Sequence, residues 1–163
     1  MSIAKEFVAS VDRGVLSEAE AQQRATSVLR GIRFGKNDYI FVYRDDGQNI
    51  VLGPRPEMEG KNLLENKDPN GVPYVRELIA AATRNDGSFV SYMFPRAGSD
   101  KPAAKMGYAL GVAPWKWVIG TGVYVSKSEP RTLPNYHKSS GLSMTNACRN
   151  YCFDIAHATS PIR

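Results

Sequence analysis

The residues that most often carry metal and nucleophile chemistry are scarce in this chain. Its 163 residues include only two cysteines and two histidines, and all four (His137, Cys148, Cys152 and His157) lie late in the sequence. With no histidine before His137 and no serine in a Gly-x-Ser-x-Gly elbow, there is no nucleophile paired with an imidazole base. The late histidines and cysteines do not show ligand-pair spacing, so a zinc site is not expected. Cys148 and Cys152 are read as two free thiols, with a disulfide as the alternative. Asp45 and Asp46 are adjacent, which explains a turn and does not set two carboxylates across a substrate. Gly120-Thr-Gly122 lacks the third glycine, the lysine and the following helix of a phosphate loop. No catalytic constellation results, and no cofactor or metal is expected.

Long apolar runs are absent too. No window approaches the roughly 18 apolar residues needed to cross a bilayer, and Met1 to Ser10 has no signal-peptide core. As written, the chain is expected to be soluble, without a signal peptide or transmembrane helix. Its formal charge of +5 is not concentrated. From Ser126 onward five basic residues (Lys127, Arg131, Lys138, Arg149, Arg163) face two acidic ones (Glu129, Asp154), which is +3; the remaining 16 basic and 14 acidic residues leave +2. Phosphate contacts need a clustered basic face, so nucleic acid is not an expected partner.

What is present is a 42% hydrophobic content, sufficient for one core, arranged in recognisable periods. Ile3, Phe7, Val8 and Val11 form one side of a short helix within Met1 to Val15, with Gly14 as its stop. Ser17-Glu-Ala-Glu20 has the form of a capping box, and Ala21, Ala25, Val28, Leu29 and Ile32 draw an apolar stripe along a helix ending near Gly31. Asp38 to Arg44, a turn at Asp45-Asp-Gly-Gln48, and Asn49 to Leu52 read as a β-hairpin. Gly53-Pro-Arg-Pro56 breaks the sheet, Asn62 to Asn66 reads as a short helical turn, and Lys67 to Gly71 as a loop. Val72 to Arg84 is predicted helical, ended by Asn85-Asp-Gly87. Three strands follow: Ser88 to Phe94, Ala104 to Val112 and Trp115 to Val125. The expected fold class is α+β, with about five antiparallel strands, an N-terminal helix and one crossover helix.

Within that plan, Lys105 and Tyr108 lie three apart on a strand, so strict alternation puts them on opposite faces unless a bulge at Gly107 intervenes. A lysine on an inner face would need a partner anion, which a ligand carboxylate could supply; an exposed edge lysine is the alternative. Tyr39, Phe41 and Tyr43 alternate on one strand and Tyr92 and Phe94 on another. Core packing explains them, and their buried phenols could also orient a polar ligand. The glycines of Gly120-Thr-Gly122 are read as places of close approach, with Trp115 or Trp117 as the expected ring.

Six segments in order, Gly35-x-x-Asp-Tyr-Ile-Phe-Val-Tyr43, Gly60-Lys-Asn-Leu63, Lys67-Asp-Pro-Asn-Gly71, Pro95-Arg-Ala-Gly98, Lys105-x-x-Tyr108 and Pro114-Trp-x-Trp-Val-Ile-Gly-Thr-Gly-Val-Tyr124, closely resemble the single Cache sensor family. The resemblance runs from about Ser17 to Val125. It implies a PAS-like sensor domain at 17–125, preceded by a short helical lead-in at 1–16; the resemblance stops after Val125, and 126–163 reads as a polar, irregular tail, with a non-native end as the hypothesis for it. It further implies an extracytoplasmic, periplasmic domain of a membrane-anchored, dimeric receptor, passing ligand binding to a chemotaxis signalling domain, a histidine kinase or a cyclase. Ligands implied are small carboxylates such as acetate, propionate, pyruvate or lactate. The resemblance makes Lys105 the carboxylate partner, with Tyr108 beside it. Tyr39, Phe41, Tyr92 and Phe94 become pocket walls, with Tyr92 as hydroxyl donor, while Arg33 and Arg76 are outside candidates. Gly107 stands where the family often has serine, Lys116 where glycine is common, and Gly53-Pro54 where His-Pro is frequent. The competing expectation is an interaction or scaffold domain, or a truncated sensor, whose pocket holds no ligand.

Overall fold

The computed structural model describes residues 3–35, 37–84 and 87–125. The predicted tail, with Cys148 and Cys152, lies outside the described residues. The N-terminal periodicities produce helices α1 (Ile3–Asp12) and α2 (Glu18–Gly31). The capping box at the start of α2 is complete: the Glu20 amide donates to Ser17 Oγ at 3.3 Å, and the Ser17 amide donates to Glu20 Oε2 at 3.1 Å. Ala21, Ala25 and Leu29 are buried as the stripe predicts, whereas Val28 at its edge is 44% exposed.

The run from Asp38 to Arg44, expected as one strand, is broken at Ile40. Asp38–Tyr39 (β2) pairs with Arg33–Phe34 (β1) in a two-stranded ribbon, and Phe41–Arg44 (β3) enters the main sheet. That sheet continues with Asn49–Leu52 (β4), Ser88–Pro95 (β5), Pro102–Val112 (β6) and Trp117–Tyr124 (β7), in the order β4-β3-β7-β6-β5 with every pairing antiparallel. The last strand among the described residues is therefore the central one. The expected five-stranded antiparallel sheet and α+β class are both present.

Three boundaries differ for local reasons. Helix α3 spans Tyr74–Ala82 rather than Val72–Arg84, because a residue preceding proline is pushed away from helical backbone and Pro73 takes the N-cap. Asn62–Asn66 is a single turn closed by the Asn66 amide on Leu63 O, not a helix, and Asn62 bridges Gln48. The final strand starts at Trp117 instead of Trp115, since Pro114 sets a 3-10 turn over Ala113–Trp115 that ends on Lys116 at φ 52°.

The two faces of the sheet carry separate cores. α1 and α2 cover one, packing Ala4, Ala21, Ala25 and Leu29 against Val42, Val51 and Trp117. α3 covers the other, where Val75 and Leu78 are fully buried among Tyr39, Phe41, Tyr92 and Phe94. The second face contains the candidate site.

Candidate ligand-binding site

β6 runs without a bulge from Pro102 to Val112, so alternation holds along its whole length. Lys105, Gly107 and Ala109 face α3, and Tyr108 faces the other way, its ring 4.8 Å from that of its cross-strand neighbour Phe89. The predicted grouping of Lys105 with Tyr108 is thereby separated by the pleat. The other five predicted residues do meet.

Lys105 is only 2% exposed. Its Nζ donates to the Tyr39 hydroxyl at 2.9 Å and lies 4.1 Å from the centre of the same ring. Tyr124, Phe94 and Phe41 complete an aromatic cage at 5.0, 5.5 and 5.6 Å from Nζ to the ring centres. Such contacts favour a cation by up to about 2 kcal/mol when desolvated, whereas removing an ammonium from water costs several kcal/mol. Desolvation wins: burial pushes the Lys105 amine down to about 7, with Asp38 pulling the other way. Asp38 is itself raised, first by burial and against the attraction of Lys105 and Arg96.

The phenols form a directed chain. Tyr124 donates to the Pro95 carbonyl at 2.6 Å, which uses its only proton; the Tyr39 hydroxyl, 3.5 Å away, then donates to Tyr124 and accepts from Lys105. Burial holds both phenols protonated well past neutrality. Thr121 Oγ1 donates to the Tyr39 carbonyl at 3.0 Å and fixes the residue over β7. Tyr92 stacks on Tyr74 of α3 at 5.3 Å and 11°.

Three glycines make room for this arrangement. A Cβ on Gly122 would stand 2.8 Å from Lys105 Cε, and one on Gly107 3.0 Å from Tyr92 Cε1. Gly120 accommodates the Phe41 ring, so the expected tryptophan approach does not occur there. Trp115 and Trp117 pack on each other at 4.8 Å on the opposite face.

Around the cage, Asp68 is buried in the predicted loop. Its carboxylate accepts from the Asn70, Val72 and Met93 amides at 2.8, 2.9 and 2.7 Å. Burial alone would raise its pKa, but those three amides outweigh it and hold it lowered. Arg55 reaches Ser99 O at 3.1 Å and Asp100 Oδ1 at 2.7 Å across the β5–β6 turn. Arg96 stacks over Tyr124 at 4.5 Å. The outside candidates stay outside: exposed Arg76 pairs with Glu65, and Arg33 donates to the Arg30 and Ile32 carbonyls.

Sequence reasoning did not single out Tyr124, Asp38, Arg96 or Asp68 as site residues. Tyr124 was within reach, since it alternates with Gly122 and Gly120 on β7, whose inward positions Gly120 already marked. An open cleft of about 560 Å³ lies on the other face, between α2 and Trp115, Lys116 and Trp117, and contains none of the predicted site residues. Among the described residues no group of three or more His, Cys, Asp or Glu could hold a metal ion.

The family model for single Cache domain 2 matches residues 1–132. The chain is 36% identical over 113 residues to the methyl-accepting chemotaxis protein McpP of Pseudomonas putida, covering 69% of this chain and 21% of McpP. It is 33% identical over 114 residues to the sensor histidine kinase MctS of Rhizobium johnstonii, covering 70% of this chain and 24% of MctS. It thus spans about a fifth to a quarter of the length of these relatives. In structure it is similar to the periplasmic sensor domain of a chemotaxis protein (TM-score 0.74, 29% identity, 76% of this chain and 86% of that one). It is equally similar to a Cache chemosensory domain that recognises a carboxylic acid (TM-score 0.73, 29% identity, 76% and 84%).

Proposed function

The chain belongs to the single Cache domain 2 family, and from that premise we propose that it is the ligand-binding sensor domain of a bacterial chemotaxis-type receptor, taking a small organic acid such as acetate, propionate, pyruvate or lactate. What carries this reading is Lys105: a buried amine held in an aromatic cage, with one hydrogen bond to a phenol and no ion pair among the described residues. A carboxylate is the complement such a group lacks. Lys105 would take one oxygen, the Tyr92 hydroxyl, whose proton the Tyr39–Tyr124–Pro95 chain does not use, would serve the other, and Tyr39, Phe41 and Phe94 would wall the carbon end. Tyr108, on the far face, has no part in it. The domain senses and does not catalyse; the periplasmic sensor domain it resembles supports a place outside the cytoplasm, and in this reading the parent receptor is membrane-anchored and dimeric. Residues 17–125 form the sensing unit.

A ligand as small as acetate has four non-hydrogen atoms, and the ceiling of about 1.5 kcal/mol per atom permits roughly 6 kcal/mol, or a Kd of some tens of micromolar. At a hundredfold excess over Kd, binding stabilises by about 2.7 kcal/mol, a melting shift of several degrees for a domain of this size. Thermal shift against two- to four-carbon acids is the test. Stabilisation by at least one acid, abolished in Lys105→Ala, is expected; no response to any acid, or an equal response in Lys105→Ala, overturns the reading.

One observation favours a second reading. At 2% exposure Lys105 is already enclosed by the protein's own rings, as in an interaction domain whose pocket is self-filled. A well-folded protein that binds nothing across chemical classes would support it.

A further inference from the structure

The enclosure of Lys105 has a chemical consequence for any acid that binds there. Among the described residues, the titratable and charged groups around the amine can be placed. From β2 come Asp38 and Tyr39, from β5 Tyr92, from the turn after it Arg96, and from β7 Tyr124. Of these, Asp38 alone carries a charge that favours an ammonium, and no Lys105–carboxylate ion pair forms among the described residues. Arg96 lies over the Tyr124 ring, and the three phenols, all raised by burial, stay neutral. Among the described residues the amine has one hydrogen-bond partner, and the Tyr39 oxygen that accepts from it is committed as donor to Tyr124.

We propose that this site captures a carboxylate together with one proton from solvent. From neutral pH upward it therefore responds to the product of anion and proton concentrations, which is proportional to the concentration of undissociated acid. The inference rests on the proposed carboxylate site. The balance is simple: the neutral amine plus a carboxylate anion plus a solvent proton give an ammonium–carboxylate pair, with no bond made or broken in the acid. The cage provides the geometry for it. Four rings exclude water, so an uncompensated ammonium is disfavoured, and the same exclusion makes the ammonium–carboxylate attraction strong once the anion is inside. Burial that lowers the Lys105 amine to about 7 agrees with this. A receptor built this way reads weak-acid load and acidity in one binding event.

Two measurements on the 163-residue protein test it, with acetate and propionate as probes. Calorimetric titration in buffers of different ionisation enthalpy is expected to show uptake of close to one proton at about pH 8 and little at about pH 6, with Kd rising about tenfold per pH unit above neutrality. Lysine ¹³Cε spectra without added acid, with Lys105→Met and Lys105→Arg each used to identify the resonance, are expected to show one lysine titrating near neutrality. Acid binding with no proton uptake at either pH overturns the inference and leaves carboxylate binding intact. Failure of both acids to bind at either pH removes the carboxylate reading and this inference with it. A Lys105 resonance titrating with the surface lysines overturns the inference whatever the acids do.

Discussion

Lys105 and Tyr39, 66 residues apart in sequence, meet twice: Nζ lies 4.1 Å from the ring centre and donates to the hydroxyl of the same side chain at 2.9 Å. The ring and the hydroxyl can therefore be separated experimentally. Tyr39→Phe keeps the ring, removes the acceptor for Lys105 and interrupts the chain to Tyr124. A buried donor left without its acceptor costs about 1–3 kcal/mol. Urea unfolding should show a loss in that range, and no loss would mean that the chain contributes nothing to stability.

The pH dependence of stability follows from the sign of the Lys105 shift. Its folded value is near 7 and its unfolded value near the model-peptide 10.5. Between them the unfolded chain binds more protons, so stability rises with pH through that window and is flat with respect to this group below it. Lys105→Met removes the penalty. The variant should gain on the order of a few kcal/mol over wild type at neutral pH and below, and the gain should shrink towards pH 10, as read by denaturation at each pH. An equal gain at all pH values would show that Lys105 does not titrate in that window.

Gly122→Ala tests the room beneath the lysine stem. The added methyl would sit 2.8 Å from Lys105 Cε and 2.8 Å from the Met106 carbonyl, and the backbone neighbour cannot yield cheaply. Overpacking of this kind costs about 1–3 kcal/mol. The same variant should weaken acid binding, because the stem that must move carries the amine. Unchanged stability in thermal denaturation would contradict the close approach.

Lys116 is a non-glycine residue at φ 52°, ψ 34°, between Trp115 and Trp117. Its backbone is fixed there, the amide donating to Ala113 O at 3.1 Å and the carbonyl accepting from Asp45 at 2.9 Å. Left-handed backbone costs an L-residue with a Cβ roughly 1–2 kcal/mol, partly offset by glycine's larger unfolded-state entropy. Lys116→Gly should therefore raise stability by up to about 1 kcal/mol, with acid affinity unchanged because the residue lies on the other face of the sheet. A fall in melting temperature would contradict this.

Much of the fold was legible because its signals are local. Ser17 and Glu20 announce α2 through their own side chains, and Val75 and Leu78 repeat at helical spacing whatever they pack on. Two errors arose where a neighbouring proline intervened, Pro73 delaying α3 and Pro114 delaying β7; the break at Ile40 goes with the pairing of Asp38–Tyr39 with Arg33–Phe34 in a separate ribbon. The site was legible in its parts and not in its assembly. Alternation alone puts Lys105 and Tyr108 on opposite faces, and the unbulged β6 keeps it so. Tyr124 joins the cage through the pairing of β6 with β7, and Asp38 and Arg96 join it through bends in the chain, none of which has a signature along the sequence.

Tyr124 is both a wall of the cage and the last residue of β7, the strand at the middle of the sheet. Side chain and chain exit are thus one residue. In the proposed reading, a rotation of that ring that made room for an acid would act on the peptide leaving the sheet. Pro95 and Tyr39 hold its far end through the hydroxyl. A single Cα therefore belongs both to the wall of the cage and to the point where the chain leaves the sheet for residue 125.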